Sequence, residues 1–435
     1  DPMTNRSRAA YAAIAALVAC TTASAAVPLA TPEVRSHLVE WRRDFHRNPE
    51  LGNREFRTSG IVARHLRALG FEVEEKVAHT GVVALLRGGR PGPMVALRED
   101  MDALPVTEKG DLPFRSTATT EFRGEKVGVM HACGHDGHVA VLMGVAESLA
   151  AMREQLAGSV LFVFQPAEEG APEGEEGGAE LMLKEGLFEK HEPDVVFGMH
   201  LFTTLNTGTI GVRSGPMMAE SDRFRIVVTG RQTHGSRPWG GIDPIATSAQ
   251  IVNTLQTIVS RRTDIARAPA VVTVGAIKGG IRYNIVPESV EMIGTVRTFE
   301  TATRDAIWAD IKRMSEDVAH ANGAEAEVEL WQHTDVLVND PALTARMRPS
   351  LEAVVGRDKV VDMPFQTVAE DFAALSKRVP GLYFFVGVTP PGVDADKAAS
   401  NHSPDFFMDE DALPIAHDAL LRATLDYLAA GKPAP

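Results

Sequence analysis

The 435-residue chain has only two cysteines, four tryptophans and four tyrosines, and aromatic residues make up 6% of it. It also lacks an excess of positive charge and any apolar run of the ~20 residues needed to cross a bilayer. Each deficit excludes something. The formal net charge is -14 with the acids dispersed, a surface that repels phosphate backbones, so no nucleic-acid partner is expected and a small-molecule substrate is. One cysteine, Cys20, lies in a segment that reads as processed, which leaves Cys133 as the lone thiol and excludes an intrachain disulfide. The scarcity of aromatic residues says little about which apolar groups the protein would bind.

What is present is the balance of an ordinary globular protein, 44% hydrophobic and 23% charged, at a length that suggests two domains. Asp1-Pro2 before Met3 reads as an expression scar. Arg6 and Arg8, the run from Ala9 to Ala19, and Ala23-Ser24-Ala25 then read as the three parts of a secretory signal. Leu17-Val18-Ala19-Cys20 offers a competing route, a lipobox whose cysteine would carry a lipid anchor. The expectation is therefore export to the periplasm or medium, or attachment to the bacterial envelope.

Beyond residue 30, Thr31-Pro32-Glu33 predicts a capped helix through about His46, and Thr58 opens another that Gly70 closes. Apolar runs at Val82–Leu86, Met94–Leu97, Val160–Phe164 and Val195–Met199 alternate with helical stretches, one of them following Gly137. This order predicts an α/β fold with a mixed, largely parallel sheet flanked by helices. After Ser214-Gly215-Pro216 the pattern becomes strand (Phe224–Val228), helix (Asp243–Arg262), strands (Val271–Ile277, Val290–Arg297), helix (Ala302–Ala321) and strand (Ala326–Trp331), the ferredoxin-like order. The α/β pattern then returns with a strand at Tyr383–Val388 and a final helix. The resulting division is a leader over 1–30, a discontinuous catalytic domain over 31–215 and 334–435, and an inserted α+β lid over 216–333.

Cysteine, imidazole and carboxylate are the ligand types of zinc and related cations, and His131-Ala-Cys-Gly-His-Asp-Gly-His138 packs five such side chains into eight residues. Gln165-Pro-Ala-Glu-Glu-Gly170 follows an apolar strand, His200 ends another, Asp100 and Asp102 follow a third, and Asn401-His-Ser-Pro404 follows a fourth. Ligands of open α/β sheets bind beyond the carboxyl ends of strands, where all of these fall. Taken singly, a histidine after a strand or a Glu pair at a loop start is more often structural or solvated.

Together, and in this order, Arg98-Glu-Asp-Met-Asp-Ala-Leu-Pro105, Met130-His-Ala-Cys-Gly-His-Asp136, Gln165-Pro-Ala-Glu-Glu-Gly170, Gly198-Met-His200 and Asn401-His-Ser-Pro404 resemble the M20 metallopeptidases. The resemblance is greatest to their amidohydrolase branch, the hippurate, auxin-conjugate and N-acyl amino acid hydrolases. It implies that Cys133, His135, Glu169, His200 and His402 ligate two divalent metals, zinc first and manganese or cobalt as alternatives, with Cys133 a candidate bridge. It further implies that Glu168 is general base and acid, and that Asp100 and Asp102 stand behind the ligands and orient them. His234 would stabilise the oxyanion, often from a partner subunit, and Asn284, with Arg282 as helper, would hold the substrate carboxylate in a homo-oligomer built on dimers. Trp239 departs from the family, many members of which carry histidine there. Met217, Met218 and Trp239 are candidates to line a pocket for a bulky aromatic acyl group, ochratoxin-like amides of phenylalanine included.

The expected function is metal-dependent hydrolysis of N-acyl amino acids. Alternatives are a dipeptidase or carboxypeptidase of the same fold, and a non-catalytic metal- or solute-binding lipoprotein of the envelope. A zinc nucleobase deaminase is set aside because its His-x-Glu and Pro-Cys-x-x-Cys signatures are absent.

Overall fold

The computed structural model describes residues 29–431. The secretory pattern and Cys20 lie outside the described residues. Among those described, no helix is long and apolar enough to cross a membrane.

Eight strands form the main sheet, in the order Glu72–Val77, Gly81–Arg87, Ala157–Gln165, Arg90–Asp100, Val195–Asn206, Gly381–Thr389, Ile210–Val212, Val360–Asp362. The four central strands, Ala157–Gln165 to Gly381–Thr389, run parallel, with antiparallel pairing nearer the edges. Parallel strands covered on both faces need apolar side chains on both, and Gly381–Thr389 is buried at every position. The two-residue period divides these side chains between layers. Phe162, Phe164, Phe197 and Phe384 pack against the helices Pro32–Arg47, His135–Ala151 and Ala412–Ala430. Leu161, Val163, Val196 and Phe385 face Gly178–Lys184 and Phe372–Ser376. The edge strand Glu72–Val77 instead exposes Glu72, Glu74, Glu75 and Lys76, charges that discourage pairing with another chain.

A separate sheet of four antiparallel strands has the order Val271–Gly279, Ser289–Thr298, Glu220–Thr229, Glu325–Thr334. In chain order this is 2-3-1-4, and with the helices Pro244–Thr257 and Thr301–Ala321 it is the ferredoxin-like lid expected from the sequence. The chain enters and leaves it through a two-stranded ribbon, Gly215–Met218 against Leu337–Asn339.

Local differences from the sequence expectations have physical causes. Thr31 does cap the first helix, its side chain accepting from the Val34 N–H. The second helix begins at Phe56, because the Glu50 carboxylate reaches across to accept from the N–H groups of both Arg57 and Thr58. The third begins at His135, since Gly134, at φ 99°, makes the break that had been assigned to Gly137. The helix expected over Asp243–Arg262 forms and Asp243 caps it, but its last turn, Ile258–Arg262, widens into a π-helix. Pro341–Val355 was missed, and Pro349 inside it obscures its periodicity.

Candidate active site

The side chains of interest gather at the carboxyl edge of the four parallel strands. Cys133 and His135 flank Gly134, whose left-handed backbone lets a two-residue step present both side chains to one point at the start of a buried helix. Glu168 and Glu169 follow Ala157–Gln165 in a turn where Ala167 takes φ 51°. Asp102 holds that turn, its two oxygens accepting from the Glu168 and Glu169 N–H groups at 3.0 Å each. His200 donates through Nδ1 to the Leu201 carbonyl at 2.8 Å, which leaves Nε2 facing Cys133 Sγ at 3.3 Å. His402 sits at φ 71° with Nε2 2.9 Å from Glu169 Oε1. Non-glycine residues in this region cost of order 1 kcal/mol and persist where packing imposes them. Asn401 supplies that packing, donating to the Cys133 and Leu201 carbonyls and accepting from Thr203.

The ligand atoms of Cys133, His135 and His200 lie within 4.8 Å of one another, as do those of Cys133, Glu169 and His402, and those of His135, Glu168 and Glu169. Cys133 joins the first two groups, and His135 joins the first and third. His135 Nε2 is buried without a hydrogen-bond partner, and Glu169 Oε1 faces the His402 imidazole. Burial and the Glu169 and Glu168 carboxylates push the Cys133 thiol up, so a thiolate here requires added positive charge. Burial works against charging His135, but Asp100 and Asp102 outweigh it and raise the imidazole to about 10. Burial and His138 keep His200 well below its ordinary value, so its ring is neutral. Unpaired buried donors beside surplus carboxylate fit a pair of divalent cations.

The remaining members of the histidine-rich segment have other tasks. His138 donates to Asp100 Oδ1 at 2.6 Å and accepts from the Leu201 N–H at 3.0 Å, so it joins two strand ends. Asp136 is ion-paired to the buried Arg42 at 2.9 Å and to His46 at 2.8 Å, locking the helix start to the first helix. His131 is buried with both ring nitrogens unpaired, and burial lowers it to about 3.

An acidic group behind Glu168 has no counterpart among the sequence expectations. Glu168, Glu370 and Asp371 bring carboxylate oxygens within 4.8 Å of each other. The fully buried Arg98 holds that group, contacting Glu370 at 2.9 Å, Asp371 at 2.7 Å and Asp100 at 3.0 Å, while Tyr383 donates to Glu370 at 2.6 Å. Burial, then Glu370 and Glu169, push Glu168 well above the usual carboxylate range. No hydrogen bond engages the Glu168 carboxylate among the described residues; its only one is the backbone N–H to Asp102.

A cavity of about 890 Å³ opens above this floor, roofed by the bare face of the lid sheet through Arg223, Ile293, Arg297 and Trp331. Cys133, Glu168, Glu169, His200 and His402 line its floor. His234, Arg282 and Asn284 do not line it. They sit together at the lid's tip, where Thr233–His234 pairs with Ile285–Val286 and the Gly235 N–H donates to the Asn284 carbonyl at 2.8 Å. His234 is exposed, with Nδ1 accepting from Ser236. Of the three residues expected around an acyl pocket, Met218 lines the cavity. Its neighbour Met217 does not line the cavity; it is buried in the core and accepts from Asn339 at 3.2 Å. Trp239 lies at the tip and is absent from this cavity.

Comparison with known proteins agrees with this architecture. Residues 96–426 match the model of peptidase family M20/M25/M40. The chain is 38% identical over 397 residues to thermostable carboxypeptidase 2 of Saccharolobus solfataricus, covering 90% of this chain and 95% of that one. It is 41% identical over 295 residues to an N-acyl-L-amino acid amidohydrolase of Geobacillus stearothermophilus, covering 68% and 76%. A solved Bacillus subtilis structure, described as a dinuclear metal-binding peptidase from the M20 family, superposes with a TM-score of 0.76 at 33% identity, covering 92% and 99% of the two chains.

Proposed function

Because the chain belongs to peptidase family M20/M25/M40 and is a metal-dependent hydrolase of amides or peptides, we propose that it cleaves N-acyl amino acids into a carboxylic acid and a free amino acid. The observation that carries this reading is Glu168, a carboxylate with no structural partner beside a complete ligand set. A site built only to bind a cation has no use for it.

Cys133, His135, Glu169, His200 and His402 would hold two divalent cations. Thiolate and imidazole favour zinc, with manganese or cobalt the alternatives. When bound, the cations supply the positive charge that activates a water and polarises the scissile carbonyl. The chain's own residues do the rest. Asp102 fixes the turn that aims Glu168 and Glu169. Glu168 takes the proton from the attacking water and returns it to the leaving nitrogen, so one water is consumed for each acid and amine released. Arg98, by holding Glu370 and Asp371, keeps that turn from being pushed open by like charge.

His234 acts from the partner subunit of a dimer, stabilising the oxyanion, and Asn284 with Arg282 receives the substrate's carboxylate. The lid spans 216–333, between catalytic segments at 31–215 and 334–435. Export follows the Arg6 to Ala25 pattern, and the mass of the mature N-terminus distinguishes cleavage after Ala25 from lipidation at Cys20.

The relative named as a carboxypeptidase favours a second reading, cleavage of peptides. A panel of N-acetyl and N-aroyl amino acids, hippurate and N-acyl-phenylalanines included, run beside dipeptides, separates the two. Preference for acyl amino acids is expected. Turnover confined to peptides would overturn the amidohydrolase reading.

A further inference from the structure

Asp102 holds the Glu168 turn from one side; residues 50–55, between the first two helices, hold it from the other. The contact is close: a Cβ on Gly52 would lie 2.8 Å from the Gly170 carbonyl oxygen and 3.0 Å from the Ala167 Cβ. Asn53 donates to the Glu176 carbonyl at 2.9 Å, and the Ala103 N–H donates to the Glu50 carbonyl at 2.8 Å. The last residue of this segment, Glu55, is fully buried at the N-cap of the helix Phe56–Ala68, yet its side chain caps nothing there. Glu50 accepts from the Arg57 and Thr58 N–H groups instead.

Freed from capping, the Glu55 carboxyl meets a segment 112 residues further along the chain. Oε1 accepts from the Ala167 N–H at 2.9 Å, and Oε2 meets the Thr80 hydroxyl. Three successive N–H groups, those of Ala167, Glu168 and Glu169, thus end on two carboxyl groups. Ala167 has the unusual backbone, φ 51°, which a residue with a Cβ keeps only where its surroundings impose it. Without an acceptor its buried N–H would be left unpaired, and the turn would relax and carry Glu168 with it. Arg54 turns away to Glu175, and no cation pairs with Glu55 among the described residues. Burial, then Asp102, raise Glu55 to about 8, so near neutral pH it holds its proton.

We propose that Glu55 is a positioning residue for the hydrolysis, an uncharged acid that fixes the Ala167 backbone and, through it, the aim of Glu168 at the attacking water. This rests on the reading of Glu168 as the proton carrier. An uncharged Glu55 supplies the acceptor that Ala167 needs without setting a second carboxylate charge beside Asp102, where like charges repel. Reach, not charge, is what the position requires.

The test measures kcat and KM on hippurate and N-acetyl-phenylalanine, with metal content read by elemental analysis and kcat expressed per metal-loaded site. Glu55→Asp keeps the acid but is one methylene short, and Glu55→Ala removes it. Both should lose about 10- to 100-fold in kcat, with KM changed by less than about threefold. Glu55→Gln keeps the length, can accept from Ala167 and donate to Thr80, and should restore kcat to within about threefold of the parent. Should Glu55→Ala fail to fold, the contrast between Gln and Asp decides. An active Asp variant beside an impaired Gln variant would show that charge matters and overturn the inference. Equal kcat in the Gln and Asp variants, or a loss that disappears when counted per metal-loaded site, would overturn it too. Near-normal turnover by Glu168→Gln would instead remove the premise, and a parent protein inactive on every amide would overturn the amidohydrolase reading and this inference with it.

Discussion

The metal floor and the lid tip carry the same kinds of side chain in opposite circumstances. On the floor most groups are buried and several are held by another: Asp102 by two backbone N–H groups, His200 by the Leu201 carbonyl, the Cys133 loop by Asn401. At the tip the exposed His234 ring bonds only to Ser236 among the described residues, and large exposed apolar residues lie in the same segments. The first constellation is organised within the fold, whereas the side chains of the second stand open around the lid sheet's own tip.

The sharpest way to break the comparison is at Glu168. Glu168→Gln should keep both cations, measured by elemental analysis, while kcat falls about 10³-fold or more. Near-normal turnover would remove it from proton transfer. At the tip, His234→Ala should lower kcat about 10²-fold. On the proposed reading the loss lies in a partner's site, so adding the Glu168→Gln protein should recover part of it, and a mixture no more active than its components would place His234 outside the reaction or in its own chain's site. Asp102→Ala frees the Glu168–Glu169 turn and should weaken metal binding by roughly 10- to 100-fold, read by competition with a chelating dye. An unchanged affinity would mean that the turn holds itself.

The smallest effect concerns the lid's own buried acids. Burial raises Glu220 to about 7, against the hydroxyl of Thr298 that favours its ionised form. Between about 4.5 and about 7 the folded chain keeps a proton that the unfolded chain has released, so stability falls as pH rises through that window and levels off above it. Glu220→Gln should flatten this slope and add about 1 kcal/mol near pH 8 with little change near pH 4, measured by denaturant unfolding. A parallel pH profile in the two proteins would contradict the assignment.

Much of this was legible before the structure. Runs such as Val160–Phe164 read as buried strands, and several are followed by a metal-type side chain, so much of the floor follows from one rule about strand ends. The lid's strand and helix order likewise fixes its topology. Other parts were hidden for definite reasons. Glu370 and Asp371 precede a short helix and look like ordinary terminal acids; only the fold sets them behind Glu168 and opposite Arg98, more than 270 residues away in sequence. Met217 and Met218 are both buried in one core cluster and only Met218 also reaches the cavity, a distinction that requires the fold. Trp239 looks like a pocket residue by composition, and exposure alone reveals that its own cavity lacks it.

The central claim is that the floor is a hydrolytic centre completed by divalent cations. Metal-stripped protein should be assayed on hippurate and N-acyl-phenylalanines, then again with zinc, manganese or cobalt restored. The account predicts no turnover before addition and recovery with one or more of the three. Undiminished turnover by verified metal-free protein, or stoichiometric metal binding with no turnover of any amide or peptide, would contradict it.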